Sequence, residues 1–422
     1  TEFSNTFKVQ NDTNGIQLFD TIERLLDEKK EVSILDILKE IPIYEIELDI
    51  DNLISIIYSW KKALEEQQNL SKKLNALENN NNIIINFDLF DEKDLNFLPR
   101  KINLDVSHRE KPLSLELWIP NKDYKKNLII FMPGLGGDIS NFRWLGAGLS
   151  KKGWPILLIE HEGSNLEALK AVMRGEQSLP GGADIFLYRI KDLNAVVKAY
   201  KDGALGFDGR SYILMGHSLG SLISMLYEGN LPEKDFESRC NIALKDFALT
   251  NLSKLLQCQL LEIPILEFEK STDLKAIVGF NSFGSLIWPY KNNTGINAPV
   301  LLIGGTFDLI TPLVSEQFKL FRSNQSNKLN RFLIVQGASH FSPISVNNQS
   351  SKNKIDNDVF KIKENFIGIN PSDFQKLSLK IIIEFLSNLE RKQGLKVVPK
   401  NQILNLNYHL LGEKELNQIY KD

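Results

Sequence analysis

The stretch "SYILMGHSLGSLISMLYEG", residues 211–229, decides how this 422-residue chain is read. "YILM" has the continuous apolar character of a buried strand, and "SLISMLYE" has the spacing of an amphipathic helix. Between them lies "GHSLG", Gly216–Gly220. A G-x-S-x-G turn between strand and helix lifts its serine off the strand end in a strained conformation, with glycines where side chains would collide with the neighbouring elements. A serine hydroxyl is a weak nucleophile until a base can take its proton. Chance alone would produce the five-residue pattern in roughly one chain in ten of this length. It is the strand before and the helix after that make Ser218 the expected nucleophile. The variable position, His217, reads as a residue that fills the turn.

Short apolar runs alternate with helical patterns on both sides of this turn. Strands are expected at 113–120, 127–137, 154–163, 274–284, 298–308 and 330–340, and helices at 192–200 and 374–389. That alternation predicts an α/β domain, a mostly parallel central sheet flanked by helices. Leucine-rich helical material interrupts it at about 230–270, a small cap that either lines an acyl pocket or packs on the core. Ahead of it, residues 1–82 form a helical N-terminal extension. Its second stripe, Leu53, Ile54, Ile57, Trp60 and Leu64, is expected to pack as core. The Asn-rich run at 78–82 marks a linker. The domain proper spans 83–400, and 401–422 reads as a polar C-terminal tail.

The nucleophile needs a base and an orienting acid in the order serine, acid, histidine. Of the five histidines, His108 and His161 precede the serine and His409 lies in the tail. His340, in "GASHFSP" after a strand, is the expected base. Asp308, just past the end of "VLLIGG", is the expected acid, with Asp273 and Asn281 as rivals. Pro312 opens the following helix. A developing oxyanion needs donors, and these are the backbone N–H groups of Leu219, after the nucleophile, and of Leu135, in the glycine turn "MPGLGG" (132–137). A phosphate-cradling reading of that turn fails, because no G-K-[ST] follows it. His161, Phe283 and Phe341 are pocket candidates. Glu160, His161 and Glu162 are consecutive, so they point apart and no metal site is expected. No cofactor is implied.

Net charge is −3, with 42% hydrophobic and 24% charged residues, so nothing suggests a nucleic-acid partner. No run reaches the length of a transmembrane segment. Cys240 and Cys258 form no disulfide framework, and their spacing leaves a single bridge open. The chain begins at Thr1, which leaves room for an exported, periplasmic protein whose signal segment is absent. Localisation and oligomeric state stay open.

With these residues placed, the chain resembles bacterial alpha/beta hydrolases with a helical N-terminal region, labelled predicted dienelactone hydrolases. It is similar, more distantly, to platelet-activating-factor acetylhydrolases. The carrying segments are "ILDILKEIP" (34–42), "MPGLGG", "IEHEGSN" (159–165), "GHSLG", "LTNLSKLLQCQL" (249–260), "FDLITPLVSEQ" (307–317) and "ASHFSPI" (338–344). The resemblance implies a triad of Ser218, Asp308 and His340 acting on small-molecule or lipid esters with a short or medium acyl group. Dienelactone hydrolases carry a cysteine where this chain has Ser218. Two further readings stand beside ester hydrolysis: acyl transfer by the same triad, and a scaffold that binds without catalysis.

Overall fold

In the computed structural model the described residues are 34–40, 46–78, 98–121, 124–173, 182–206, 209–230, 235–245, 249–263, 272–290, 294–324, 327–344 and 368–419, with short pieces at 7–9, 21, 24–25 and 232. Leu18, Ile22 and Leu26, expected with Leu25 on one face of an earlier helix, and linker residues 79–82 lie outside them. Strands β1 (Phe7–Val9) and β2 (Ile46–Leu48) make a small antiparallel pair. The other ten strands among the described residues form one sheet. They are β3 (Arg100–Leu104), β4 (Leu113–Trp118), β5 (Leu128–Met132), β6 (Ile156–Ile159), β7 (Tyr212–His217), β8 (Leu274–Phe280), β9 (Val300–Gly305), β10 (Arg331–Val335), β11 (Val398–Ile403) and β12 (Leu406–Leu411). Their spatial order is β3-β4-β6-β5-β7-β8-β9-β10-β12-β11. The run from β6 to β10 is parallel, and antiparallel strands close both edges. The expected architecture, a mostly parallel sheet flanked by helices with a helical N-terminal region, is what forms.

The parallel strands are apolar on both faces because helices cover both. On β5, Leu128, Ile130 and Met132 join one core with the helices Gly182–Lys201 and Leu219–Glu228. Ile129 and Phe131 turn to the other, with the helices Arg143–Lys151 and Pro371–Glu390. The helix Pro371–Glu390 starts as its sequence dictates, with Asn370 accepting from Ser372 N and proline in the first turn. Parallel pairing brings the C-terminal ends of β7, β8, β9 and β10 to the same edge of the domain, and the loops that follow them carry the site.

Two expectations are corrected. Residues 398–411, largely assigned to a polar tail, form the hairpin β11–β12, which pairs with β10 and extends the sheet. Its turn, Leu404–Asn405, has positive φ at both residues, as a two-residue hairpin of this twist requires. The stripe from Leu53 to Leu64 is not core. On the helix Ile50–Asn75, Ile54, Ile57, Trp60 and Leu64 are exposed, and only Leu70 and Leu74 are buried. That end of the helix is tied to the hairpin region by Gln336 Nε2 donating to Asn75 Oδ1 (3.0 Å) and Lys400 Nζ to Asn75 O (3.3 Å).

The cap region contains the helices Phe236–Lys245 and Ser253–Cys258. Its expected leucines divide, with Leu260 buried and Leu244, Leu252, Leu255 and Leu261 exposed. Cys240 and Cys258 are joined, with Cα atoms 5.5 Å apart. A second clasp centres on the buried carboxylate of Glu316. It accepts from Asn251 Nδ2 (2.8 Å), Gln257 Nε2 (3.1 Å), Ser285 Oγ (2.8 Å) and Ser285 N (3.1 Å). The bridge joins the two cap helices to each other, and the Glu316 clasp fixes the "LQCQ" segment to the body. Cys240→Ser is expected to lower unfolding free energy by about 3 kcal/mol, the loop-closure value for a bridge of this span. Urea melts with and without reductant check it. A midpoint unchanged in both would show that the bridge contributes nothing.

Candidate active site

Ser218 sits at the tip of β7 with φ 51° and ψ −117°. A side-chain-bearing residue there carries strain of about 1–3 kcal/mol, which persists only when its surroundings dictate it. Two glycines do so. A Cβ on Gly216 would come within 2.2 Å of Gly220 C, and one on Gly220 within 2.0 Å of Met132 O. The backbone is held by Ser218 N donating to Phe280 O (2.9 Å). Ser218 is also the N-cap of the helix Leu219–Glu228, yet its side chain makes no cap hydrogen bond. Its hydroxyl is therefore not committed to the helix. The N–H of Leu219, first in that helix, has no intrahelical acceptor.

Asp308 follows β9 and His340 follows β10. His340 Nδ1 lies 3.1 Å from each Asp308 carboxylate oxygen. A proton on Nδ1 leaves Nε2 with its lone pair, the tautomer a base requires. Asp308 also accepts from Ile310 N (3.0 Å), Thr311 N (2.8 Å), Thr311 Oγ1 (2.6 Å), Asn281 Nδ2 (2.7 Å) and Gln317 Nε2 (3.1 Å). Burial works against its ionisation. The His340 charge and the hydrogen bonds from His340 and Thr311 outweigh that, and the carboxyl titrates below the ordinary range. Asn281, one rival for the acid, serves as a donor to Asp308. Asp273 lies before β8, at the opposite end of the sheet, and pairs with Lys201 at 2.8 Å.

His217 does more than fill the turn. Its Nε2–H donates to the backbone carbonyl of His340 (3.0 Å), and the two rings lie 4.9 Å apart. The contact ties the histidine loop to the serine turn. Burial, and then the His340 charge, push the His217 pKa down to about 3, so the ring is neutral.

The glycine turn after β5 approaches the serine from the other side. A Cβ on Gly134 would lie 3.0 Å from His217 Nδ1 and 3.2 Å from Ser218 Cβ. Gly136 N donates to Ser164 O (2.9 Å) and Gly137 N to Gly134 O (3.2 Å). The Leu135 N–H, just ahead of these two, has no acceptor among the described residues. Arg189, fully buried on the helix Gly182–Lys201, donates from Nη1 to Pro133 O (2.6 Å) and from Nη2 to Gly134 O (2.9 Å). Its Nε donates to Ser164 Oγ (2.9 Å). Burial lowers its pKa to about 9 against the opposing pull of Asp192 and Glu160, so it stays charged at neutral pH.

The strand order, the strained serine after β7 and an acid and histidine after β9 and β10 define the architecture. This is the alpha/beta-hydrolase fold. No protein-family model and no curated protein sequence matches the chain. Among solved structures, an alpha-beta serine hydrolase homologue from Coxiella burnetii is similar, with 16% sequence identity, a TM-score of 0.35 and coverage of 57% of this chain and 89% of that one. The alpha/beta-hydrolase assignment rests on the sheet and the serine turn rather than on that likeness.

The three pocket candidates fare differently. Phe341 is partly exposed and its ring stands edge-on to His340, centroids 5.6 Å apart. Phe283 is fully buried in the core. His161 is also fully buried, so neither side chain faces an open pocket. His161 Nδ1 bonds Asp192 Oδ2 (2.7 Å), and Asp192 in turn takes Arg109 Nε (2.6 Å) and His108 Nε2 (2.8 Å). Burial and the charge of Arg189 lower the His161 pKa to about 4. Glu160 turns the other way, accepting from Ile139 N (3.3 Å), and Glu162 reaches Lys111 (3.3 Å), as alternation along extended chain requires.

Sequence reasoning passed over Arg189 and Asp192. The signal was present. Phe186, Arg189, Leu193, Val196 and Tyr200 follow helical 3–4 spacing, and all are fully buried. A charged residue within such an apolar stripe must have built-in partners.

Proposed function

We propose that this protein is a serine-dependent carboxylic ester hydrolase acting through an acyl-enzyme on small-molecule or lipid esters of short or medium acyl length. Ser218 Oγ attacks the ester carbonyl while His340 Nε2 takes its proton. Asp308 holds the Nδ1–H and stabilises the imidazolium. The N–H groups of Leu219 and Leu135 receive the oxyanion. His340 then protonates the departing alkoxide, and water repeats the sequence on the acyl-enzyme. The observation that carries the reading is the strained Ser218 turn, tied through His217 to a histidine whose Nδ1 faces a buried, heavily hydrogen-bonded carboxylate. Phe341, partly exposed beside His340, fits an apolar acyl group. The Cys240–Cys258 bridge fits an oxidising compartment such as the periplasm.

A fluorophosphonate probe and a series of p-nitrophenyl esters test this. Stoichiometric labelling and turnover that peaks at short or medium acyl length are expected. Absence of labelling in folded protein would refute the hydrolase reading. Faster acyl loss to added alcohols than to water would assign acyl transfer instead.

A further inference from the structure

We infer that Arg189 is a positioning residue for the oxyanion site: by holding the Gly134 carbonyl it aims the Leu135 N–H at the oxygen of the bound ester. This rests on the proposed role of Leu135 as a donor. The peptide between Gly134 and Leu135 is planar and trans, so its C=O and N–H point in opposite directions. Fixing the oxygen therefore fixes the hydrogen. Arg189 takes two successive carbonyls with one fork, Pro133 O at 2.6 Å and Gly134 O at 2.9 Å. The geometry suits a rigid planar guanidinium and not an ammonium. The remaining edge of the fork is anchored on Ser164, through Oγ at 2.9 Å and O at 3.3 Å. Ser164 O in turn receives Gly136 N at 2.9 Å.

The turn needs such a fixture. It holds glycine at 134, 136 and 137, which lets the backbone reach Ser218 but gives it little conformational preference of its own. A buried charge is also a poor choice if stability were the only demand, since apolar replacements of buried ion pairs are often neutral or stabilising. The guanidinium behind the peptide adds polarisation, because a charged donor on the carbonyl strengthens the N–H on the far side.

The test compares Arg189→Lys with wild type in kcat, KM and inhibition by a trifluoromethyl ketone. With the ketone, Ser218 Oγ bonds the carbonyl carbon, the π pair moves to oxygen as the oxyanion, and the serine proton passes to His340. Rates are normalised to sites labelled at completion by a fluorophosphonate. A kcat lower by about ten- to a hundredfold is expected, with KM within about twofold and ketone inhibition weakened in parallel. In a Leu135→Pro background, which has no N–H at that position, Arg189→Lys should change kcat by less than about twofold. Unchanged kcat in Arg189→Lys, or losses that multiply in the double variant, would overturn the inference. If Arg189→Lys does not fold, Ser164→Ala, which loosens the anchored edge, must lower kcat in the same direction or the inference fails. Wild-type protein that the fluorophosphonate does not label would refute the hydrolase reading itself, a result separable from any outcome at Arg189.

Discussion

Replacing Ser218 by alanine is expected to reduce ester turnover by about a millionfold, to the level that binding and oxyanion donors alone sustain. In the proposed mechanism the nucleophile and its base act as one unit, so removing either removes the covalent route. His340→Ala should cost about as much, and the double variant little more. Asp308→Asn should cost about ten-thousandfold. Its amide would put an N–H₂ group among the donors Asn281 Nδ2, Thr311 Oγ1, Thr311 N and Gln317 Nε2 that now converge on the carboxylate. If its oxygen turned to those donors instead, the amide hydrogens would face His340 Nδ1 and favour the wrong tautomer. Steady-state kinetics with a p-nitrophenyl ester decide the matter. Retention of even a tenth of wild-type kcat in folded Ser218→Ala would sink the mechanism.

The second large effect is on stability in acid. The pKa values of His161 and His409 are lowered to about 4 and that of His217 to about 3, in each case chiefly by burial. An unfolded chain protonates these rings near pH 6.5, whereas the folded protein keeps them neutral. The unfolded state therefore binds more protons as pH falls below about 6.5. Stability drops through that window until the folded values near 4 and 3 are reached. At about 1.4 kcal/mol per pKa unit, His161 and His409 each contribute a loss of about 3 kcal/mol. Asp308, held below the ordinary carboxylate range, adds a loss of the same sign at lower pH. Urea midpoints at pH 7, 5.5 and 4.5 should fall steadily. His409→Gln should flatten the fall, since His409 accepts from Gln336 Nε2 (2.8 Å) and donates to Pro399 O (2.6 Å) only as a neutral ring. Midpoints that hold constant or rise on acidification would contradict this account.

Much of the site was legible because its physics is local. The collision of a Cβ on Gly216 with the backbone of Gly220 is written into five consecutive residues, whereas the clash at Gly220 is with Met132 O on a neighbouring strand. The alternation of apolar strands with helices likewise needs no knowledge of distant partners. From these came the sheet, the serine turn and the order of Ser218, Asp308 and His340. What stayed hidden depends on residues far apart in the chain. "VPKNQILNLNYHLL" (398–411) looks polar because β11 is an edge strand, and its Leu–Asn turn lacks the glycine that usually announces a hairpin. Only pairing with β10 shows that His409 is buried. The apolar stripe from Leu53 to Leu64 has the spacing of a packed helix face, yet periodicity does not say whether a neighbour exists to cover it.

The sequence by itself thus determined which strand carries the strained serine and which residues could serve it, because sterics between near neighbours leave a glycine–x–serine–x–glycine turn few alternatives. Only the tertiary structure decided that Cys240 meets Cys258, that His217 grips the His340 loop, and that Arg189 faces the carbonyls of Pro133 and Gly134. Each of those is a meeting of groups between 18 and 123 residues apart in the chain, and such meetings are set by how helices dock on the sheet.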